Sequence, residues 1–244
     1  MIDFHTHPLL VREMWERYPD LRRAARDVFF IRNRPQPLET FLLELDVSGL
    51  ERAVLLPIDA TTAKGCQIYS NEQIAELCEM SDRFVGFASV DPHHPRHVEE
   101  LERAVGDLGL RGLKLAPGLQ GFRPDDRALY PLYAKAQELG IPILFHAGMS
   151  WEPGVQVGDG HPLALEAVAR DFPNLQIVLA HLAWPWVLEA VALGLTQASH
   201  TFNAMPPLHH RRPGVVGAAL TCDEIFAQVI ADLVHLHPAT VKLL

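Results

Sequence analysis

Short apolar runs alternate along this chain with longer segments in which apolar residues recur every three or four positions. Runs of this length are typical of buried parallel strands, and the longer period is typical of amphipathic helices. Ser70 followed by Gln73 also predicts a capped helix start. The pattern therefore predicts strands that alternate with helices and form a parallel sheet. The predicted strands are 2–6, 53–57, 84–90, 111–117, 141–148, 175–181, 196–202 and 226–234.

Eight strands in this alternation predict an α/β fold, the (β/α)8 or TIM barrel, whose functional side chains gather at the carboxyl ends of the strands. A chain of 244 residues with 48% hydrophobic residues is expected to form one domain, residues 1–244. After His237, only Pro238 to Leu244 remain to cover the sheet between strands eight and one, so we expect a short final helix. We expect either a second copy of the chain over this seam, as a homo-oligomer, or modest stability.

Charge and cysteine content narrow the expected partners. A formal charge of -9 and a pI near 5.8 argue against nucleic acid and against an anionic membrane surface. The three cysteines form no C-x-x-C motif, which predicts neither a disulfide framework nor a cysteine zinc site. No apolar stretch reaches the length of a membrane span, and no signal peptide is recognised. We expect a cytoplasmic protein that acts on small molecules.

Residues 8–37 form a long connection after the first predicted strand and carry seven arginines against four acidic residues. One interpretation is a lid over the barrel mouth that favours anionic substrates. The simpler interpretation is a solvated helical excursion.

Histidines at the ends of predicted strands are the strongest chemical signal. His5 and His7 are one residue apart in the first strand, so they point to the same side. Imidazole is a good zinc ligand, although 13 histidines in 244 residues produce such spacing by chance. His146, His181 and His200 end strands five, six and seven. A single core histidine is usually structural, but histidines at four strand ends together predict a metal site at the barrel mouth.

Four motifs, DFHTH, GLKLAPGLQGF, IPILFHAG and IVLAHLAWPW, resemble the amidohydrolase-related family of metal-dependent hydrolases and decarboxylases, within the amidohydrolase superfamily. The resemblance covers residues 1 to about 190. It implies that His5, His7 and His146 bind metal and that His181 is the acid/base or lies close to the metal. It also implies a role for Lys114, either in holding a substrate carboxylate or, when carbamylated, in bridging two metals. One metal is more usual in this family.

The C-terminal part is similar to a different amidohydrolase. ASHTFNAMPPLHHRRPGVVGAAL and IADLVHLHP, within residues 176–244, resemble a segment of N-acetylglucosamine-6-phosphate deacetylase. This resemblance implies that His181 and His200 bind metal. It also implies that Asn203, Ala204 and Arg211 lie at the sugar-phosphate site and that His235 contacts the substrate. The chain therefore reads as a join between two relatives near residues 181–196.

The family has an acidic residue on the eighth strand, and the motif that normally surrounds it is absent from this sequence. Only Asp232 in VIADLV could replace it. Asp232 as a catalytic acid or base and Asp232 as an incidental strand-end residue both stay open.

A divalent ion, expected to be zinc with manganese or iron as alternatives, would lower the pKa of a bound water to about 7. The sequence thus predicts a metal-dependent hydrolase acting on the carbonyl of an amide, ester or lactone in a small substrate. A non-oxidative decarboxylase is the first alternative. A barrel that binds metal without turnover is the second.

Overall fold

The computed structural model describes residues 2–28, 30–150, 152, 154–192, 197–198, 208–211, 213–221, 226–227 and 238–241. Ten strands lie within these ranges: β1 (Ile2–Thr6), β2 (Arg52–Leu55), β3 (Ile58–Ala60), β4 (Cys66–Ile68), β5 (Phe84–Gly86), β6 (Leu113–Leu115), β7 (Ile143–His146), β8 (Ile177–Ala180), β9 (Gln197–Ala198) and β10 (Phe226–Ala227).

Helices connect most of these strands. The α-helices of the described residues are α1 (Arg12–Arg17), α2 (Pro19–Arg23), α3 (Leu38–Val47), α4 (Thr61–Lys64), α5 (Asn71–Met80), α6 (His97–Gly106), α7 (Pro117–Gln120), α8 (Tyr130–Glu138), α9 (Ala164–Asp171), α10 (Val187–Ala192), α11 (Gly214–Thr221) and α12 (Pro238–Val241). Helix α5 begins at the predicted capping box, in which Ser70 and Gln73 each accept a backbone hydrogen bond from the other. None of the described helices has the length and apolar character needed to cross a membrane.

Six strands follow one another in parallel, in the order that a (β/α)8 chain requires. The first three form the sheet β1-β2-β5, and the next three form β6-β7-β8. A parallel bridge between Ala88 and Leu113 joins the two groups, and it is flanked by hydrogen bonds from Ala88 N to Gly112 O and from Lys114 N to Ala88 O. Strand β10 pairs in parallel with β9.

The closed barrel that the sequence predicts is not seen among the described residues, because no described pairing joins β9 or β10 to β1 or β8. Of the predicted strands 196–202 and 226–234, only the short pieces β9 and β10 are described. The described part of the fold is therefore an open run of six parallel strands with a separate pair of strands. At the C-terminal end, the described residues contain the helix α12, Pro238–Val241.

An apolar interior lies between the two groups of strands. Side chains from β1, β2, β7 and β8 and from the segment at β5 meet there, namely Phe4, Val54, Leu56, Val85, Phe87, Leu144, Val178 and Ala180. The larger core packs helices against the outer face of the strands. This inside-outside alternation is the side-chain period of a strand.

Most strands are shorter than the apolar runs that predict them. Strand β6 (Leu113–Leu115), for example, occupies only the middle of the run 111–117. The pattern of apolar runs does not predict the antiparallel hairpin β3–β4, in which Ile58 pairs with Ile68 and Ala60 with Cys66. This hairpin follows Pro57 and extends the chain at the end of β2. The polar residues between its strands do not differ in pattern from an ordinary loop, so periodicity could not reveal it.

Residues 8–37 are a folded excursion that contains α1, α2 and a π-helical turn, Ala24–Val28. Its two ends are joined by hydrogen bonds from Arg12 N to Gln36 O and from Gln36 N to Leu10 O. The Tyr69 hydroxyl donates to Pro8 O over 2.6 Å and anchors the excursion beside β4. Residues 8–37 therefore contain the helices that a helical excursion predicts.

Candidate metal centre

Histidine rings from three strands meet at the carboxyl end of the sheet. The ring centroids of His5 and His7 are 5.2 Å apart, those of His5 and His181 are 4.9 Å apart, and those of His146 and His181 are 4.5 Å apart. His5 is buried, and the other three are partly buried. Four imidazoles separated by up to 176 positions in sequence thus form one cluster.

A bulge in β1 gives this strand one more residue than its partner β2. Asp3 pairs with Ala53 and Thr6 pairs with Leu55, so three steps along β1 correspond to two along β2. Bulges of this kind redirect side chains and are frequent beside active sites. The bulge lies at Phe4 and His5, next to the interior of the sheet. Strand alternation alone does not predict it.

The His5 and His7 side chains approach through the ring atoms that a metal would use. Their Nε2 atoms are 3.3 Å apart. Two nitrogens that bind one tetrahedral zinc ion at about 2.05 Å lie about 3.3 Å from each other. In this structure the spacing is that of a hydrogen bond between the two rings, and it also equals the separation of two ligands of one ion.

Backbone carbonyls determine the tautomers of two rings. His7 Nδ1 is 2.8 Å from Leu56 O, and His146 Nε2 is 3.2 Å from Met149 O. A carbonyl accepts only, so each of these nitrogens donates, and the other nitrogen of each neutral ring keeps a lone pair. A metal-binding histidine commonly donates its other ring N–H to a backbone carbonyl. His7 would then bind through Nε2 and His146 through Nδ1.

Two neighbouring loops support His146 and His181. Gly148 N donates to Gly160 O, and Met149 N donates to Trp184 O, both over 2.8 Å. Gly148 has φ +85°, and a Cβ at this position would lie 2.2 Å from Trp184 O. His181 itself has φ +60°, which is unusual for a residue other than glycine. The backbone that carries these two histidines is therefore closely constrained.

Lys114 lies fully buried on β6, and among the described residues its Nζ has no hydrogen-bond partner. It pairs in register with Leu144, two residues before His146, so the three side chains share one face of the sheet. Burial lowers the pKa of the Lys114 amine to about 7. Both the charged and the neutral amine are thus present near neutral pH.

Replacing Lys114 with Met is expected to stabilise the metal-free protein at pH 7 by up to about 4 kcal/mol. Unfolding raises the pKa of the amine from about 7 to its ordinary 10.5. The unfolded chain therefore binds more protons in this window, and wild-type stability rises with pH. Urea unfolding should show a difference in the free energy of unfolding between the wild type and Lys114→Met, and this gap should close toward pH 10. A constant gap would indicate that Lys114 has a charged partner or a modification.

The donor set fits a divalent metal in chemical type, since neutral imidazoles suit zinc and related ions. Within the described ranges, however, no three His, Cys, Asp or Glu side chains are arranged so that they could hold a metal ion together. The pair His5–His7 has ligand spacing, and the rings of His146 and His181 lie beside it, tilted at 59° to each other.

The remaining site residues of the sequence analysis are not brought into this cluster by any described contact. His200, Asn203, Ala204, Asp232 and His235 lie outside the described residues. Arg211 is described in an exposed turn, where its N–H donates to His209 Nδ1 over 3.2 Å. Gly148 and Gly160, which hold the loop after His146, are further residues of this site, and the sequence HAG at the end of a predicted strand is the signal that indicates the first of them.

The family model described as Amidohydrolase matches residues 2–239. The chain belongs to this amidohydrolase family. The N-acetylglucosamine-6-phosphate deacetylase of Lysinibacillus sphaericus is 49% identical over 55 residues, which are 22% of this chain and 14% of the deacetylase. The 2-amino-3-carboxymuconate-6-semialdehyde decarboxylase of Dictyostelium discoideum is 25% identical over 162 residues, 57% of this chain and 42% of that protein. The chain therefore spans less than half the length of either relative.

Solved structures of similar fold include an uncharacterised TIM-barrel protein of Bordetella bronchiseptica. It is 27% identical with a TM-score of 0.62, and the match covers 80% of this chain and 71% of that one. A manganese-bound 5-carboxyvanillate decarboxylase of Novosphingobium aromaticivorans is 20% identical with a TM-score of 0.54, covering 75% and 66%. These likenesses support the (β/α)8 fold. The superfamily expected from the sequence motifs is confirmed, and so is the deacetylase-like segment.

Proposed function

We propose that His5, His7 and His146 hold a divalent metal ion and that His181 is the acid/base group beside it. The single observation that supports this most strongly is the 3.3 Å spacing of His5 Nε2 and His7 Nε2, within a cluster of four rings. Zinc is the first candidate because the ligands are imidazoles. Manganese is the second, since the related 5-carboxyvanillate decarboxylase binds it. His200 stays a further proposed ligand.

A bound divalent ion would supply a Lewis acid and a water of lowered pKa. His181 lies against both His5 and His146, where its imidazole would transfer protons near neutral pH. In its charged form, the Lys114 amine would pair with a substrate carboxylate. Asn203, Arg211 and His235 stay proposed substrate contacts, and Asp232 stays a proposed acid or base.

The first proposed reaction is hydrolysis of an amide, ester or lactone in a small anionic molecule. The cluster of four imidazoles supports it, and so does the deacetylase-like segment. The second is non-oxidative decarboxylation. The specific observation in its favour is the decarboxylase of Dictyostelium, which matches 57% of this chain against 22% for the deacetylase.

A product assay on metal-loaded protein is expected to distinguish the two reactions. N-acetylglucosamine 6-phosphate should release acetate if the chain is a hydrolase, and 5-carboxyvanillate should release carbon dioxide if it is a decarboxylase. A chelator should abolish either activity, and zinc, manganese or iron(II) should restore it. Metal binding with neither product would favour the third hypothesis for these substrates, a barrel without turnover. Sedimentation of the same sample tests the proposed homo-oligomer.

A further inference from the structure

A cavity of about 460 Å³ lies beside the histidine pair on β1. Its wall includes His5 and His7, together with side chains from residues 8–37 and from α3. We call it the β1 cavity. Its volume is typical of small-molecule sites, which range from about 300 to 1,000 Å³. Because the His5 ring also lies against His181, the β1 cavity borders the imidazole cluster in which we place the metal.

The surface of the β1 cavity is mainly apolar. The large apolar side chains of its wall come from the start and the end of the excursion, from α3 and from the loop after α3. They include Leu9, Leu10, Ile31, Phe41, Leu45 and Leu50. A charged group that enters such surroundings loses its hydration and gains no partner in return, whereas an apolar group gains by leaving water. The wall therefore favours an uncharged, apolar ligand group.

The charged side chains of the described wall are acidic. Asp3 and Glu44 line the β1 cavity, and no lysine or arginine does so among the described residues. Asp3 Oδ1 accepts a hydrogen bond from His5 N over 3.0 Å, which holds this carboxylate beside the histidine pair. Like charges repel each other, so the described wall disfavours a carboxylate or a phosphate inside the β1 cavity.

The arginines of residues 8–37 do not change this balance of charge. All seven are exposed, and none of them lines the β1 cavity. Arg17, for example, forms an ion pair with Glu76 on α5, and the Arg22 guanidinium lies 6.0 Å from the centre of the Trp15 ring. The excursion therefore presents apolar side chains, and not positive charge, to the region beside the histidine pair. This is the reverse of what a lid that favours anions requires.

Lys114 lies on a different strand from the β1 cavity. It is three strands along the sheet from β1, through β2 and β5. A substrate carboxylate at Lys114 and a group in the β1 cavity would therefore reach the histidine cluster from different strands. This arrangement separates a charged end of a substrate from an apolar end, with the histidines between them.

We propose that the β1 cavity binds the uncharged, apolar part of the substrate, an assignment that rests on the proposed function. The group would be a neutral acyl or aryl group attached to the carbon at which the reaction takes place. The substrate class then narrows to molecules in which a hydrocarbon chain or neutral ring lies on one side of the reacting bond. A second anionic group on that side would meet Asp3 and Glu44.

Three hydroxamates of similar length test this selectivity on zinc-loaded protein, because the hydroxamate oxygens bind the metal and the chain extends away from it. Hexanohydroxamate ends in a methyl group, adipic monohydroxamate in a carboxylate and 6-aminohexanohydroxamate in an ammonium group. By titration calorimetry, the neutral probe is expected to bind at least about tenfold more tightly than either charged probe. A charged probe that binds as tightly as the neutral one would overturn the proposal.

Thr40→Arg places a cation in the wall of the β1 cavity, because Thr40 lies on the cavity side of α3. This change is expected to shift the preference toward adipic monohydroxamate by at least about tenfold. Leu43→Arg is the matched control, since Leu43 lies on the same helix, is 60% exposed and is not part of the described wall. It should keep the wild-type preference. Equal shifts in the two variants would contradict the proposed binding site.

Indole and acetohydroxamate distinguish a failure of the cavity from a failure of the metal site. Indole is neutral and needs no metal, so it should bind the metal-free wild type. Thr40→Trp fills the β1 cavity and should weaken indole binding by at least about tenfold, while Leu43→Trp should not. Acetohydroxamate has almost no chain, so it reports the metal and should bind wild type and Thr40→Trp equally.

Indole binding that is unchanged in Thr40→Trp would overturn the assignment of the β1 cavity, whatever the hydroxamates show. Indole binding that Thr40→Trp weakens, in a protein whose zinc-loaded form does not bind acetohydroxamate, would have a different meaning. It would count against the proposed metal site and would still support an apolar binding site beside His5.

Discussion

Replacing His5 or His146 with Ala is expected to leave the purified protein with less than about a tenth of the metal bound by the wild type. Each variant removes one imidazole from a cluster whose rings are 4.5–5.2 Å apart. Removal of a group that only hydrogen-bonds to a metal ligand already lowers metal affinity by about 10- to 100-fold, so loss of a direct ligand should lower it more. Elemental analysis after equilibration with limiting zinc measures the effect.

His94→Ala is the control for this experiment. His94 is exposed, lies in the turn before α6 and takes no part in the four-ring cluster. Its replacement should leave metal content unchanged. Circular dichroism should also show that the His5 and His146 variants remain folded, so that lost metal reports lost ligands. Wild-type metal content in both cluster variants would remove the basis of the proposed site.

Gly148→Ala is expected to destabilise the protein by about 3 kcal/mol or more, or to prevent it from folding. The new Cβ would lie 2.2 Å from Trp184 O and 2.7 Å from Trp184 N, and these are backbone atoms that cannot move aside as a flexible side chain can. The positive φ of +85° adds strain for any residue with a Cβ. The midpoint of urea unfolding measures the loss.

Gly140→Ala separates the two causes. Gly140 also has a positive φ, +66°, but a Cβ there would meet nothing within 4 Å. It should cost only about 1 kcal/mol, the price of the backbone conformation alone. Equal effects at the two glycines would show that close packing between the loops after β7 and β8 contributes little. A folded Gly148→Ala protein should also bind metal less tightly, because the same loops carry His146 and His181.

The local pattern of the chain was sufficient for much of the fold. Alternating apolar runs and amphipathic segments predict eight parallel strands, and the described residues contain the first six of them in consecutive order. The Ser70–Gln73 capping box is also present. These features depend on residues close together in sequence. The antiparallel hairpin β3–β4 was missed because its short strands lie among polar residues.

The histidine cluster could be anticipated only in part. Parallel strands bring their carboxyl ends to one edge, so histidines at those ends were expected to meet there, and four of them do. The roles proposed for His200, Asn203, Asp232 and His235 stay predictions, because these residues lie outside the described ranges. Arg211 is exposed, and its described contact is with His209.

The sequence by itself determined the family, the order of the strands and the positions of histidines along them, since each follows from motifs or periodicity within short segments. Only the tertiary structure decided the bulge at His5, the tautomers set by Leu56 O and Met149 O, and the burial of Lys114. These depend on contacts between segments far apart in the chain. Burial and hydrogen bonding, which control the pKa of a side chain, exist only after those segments pack together.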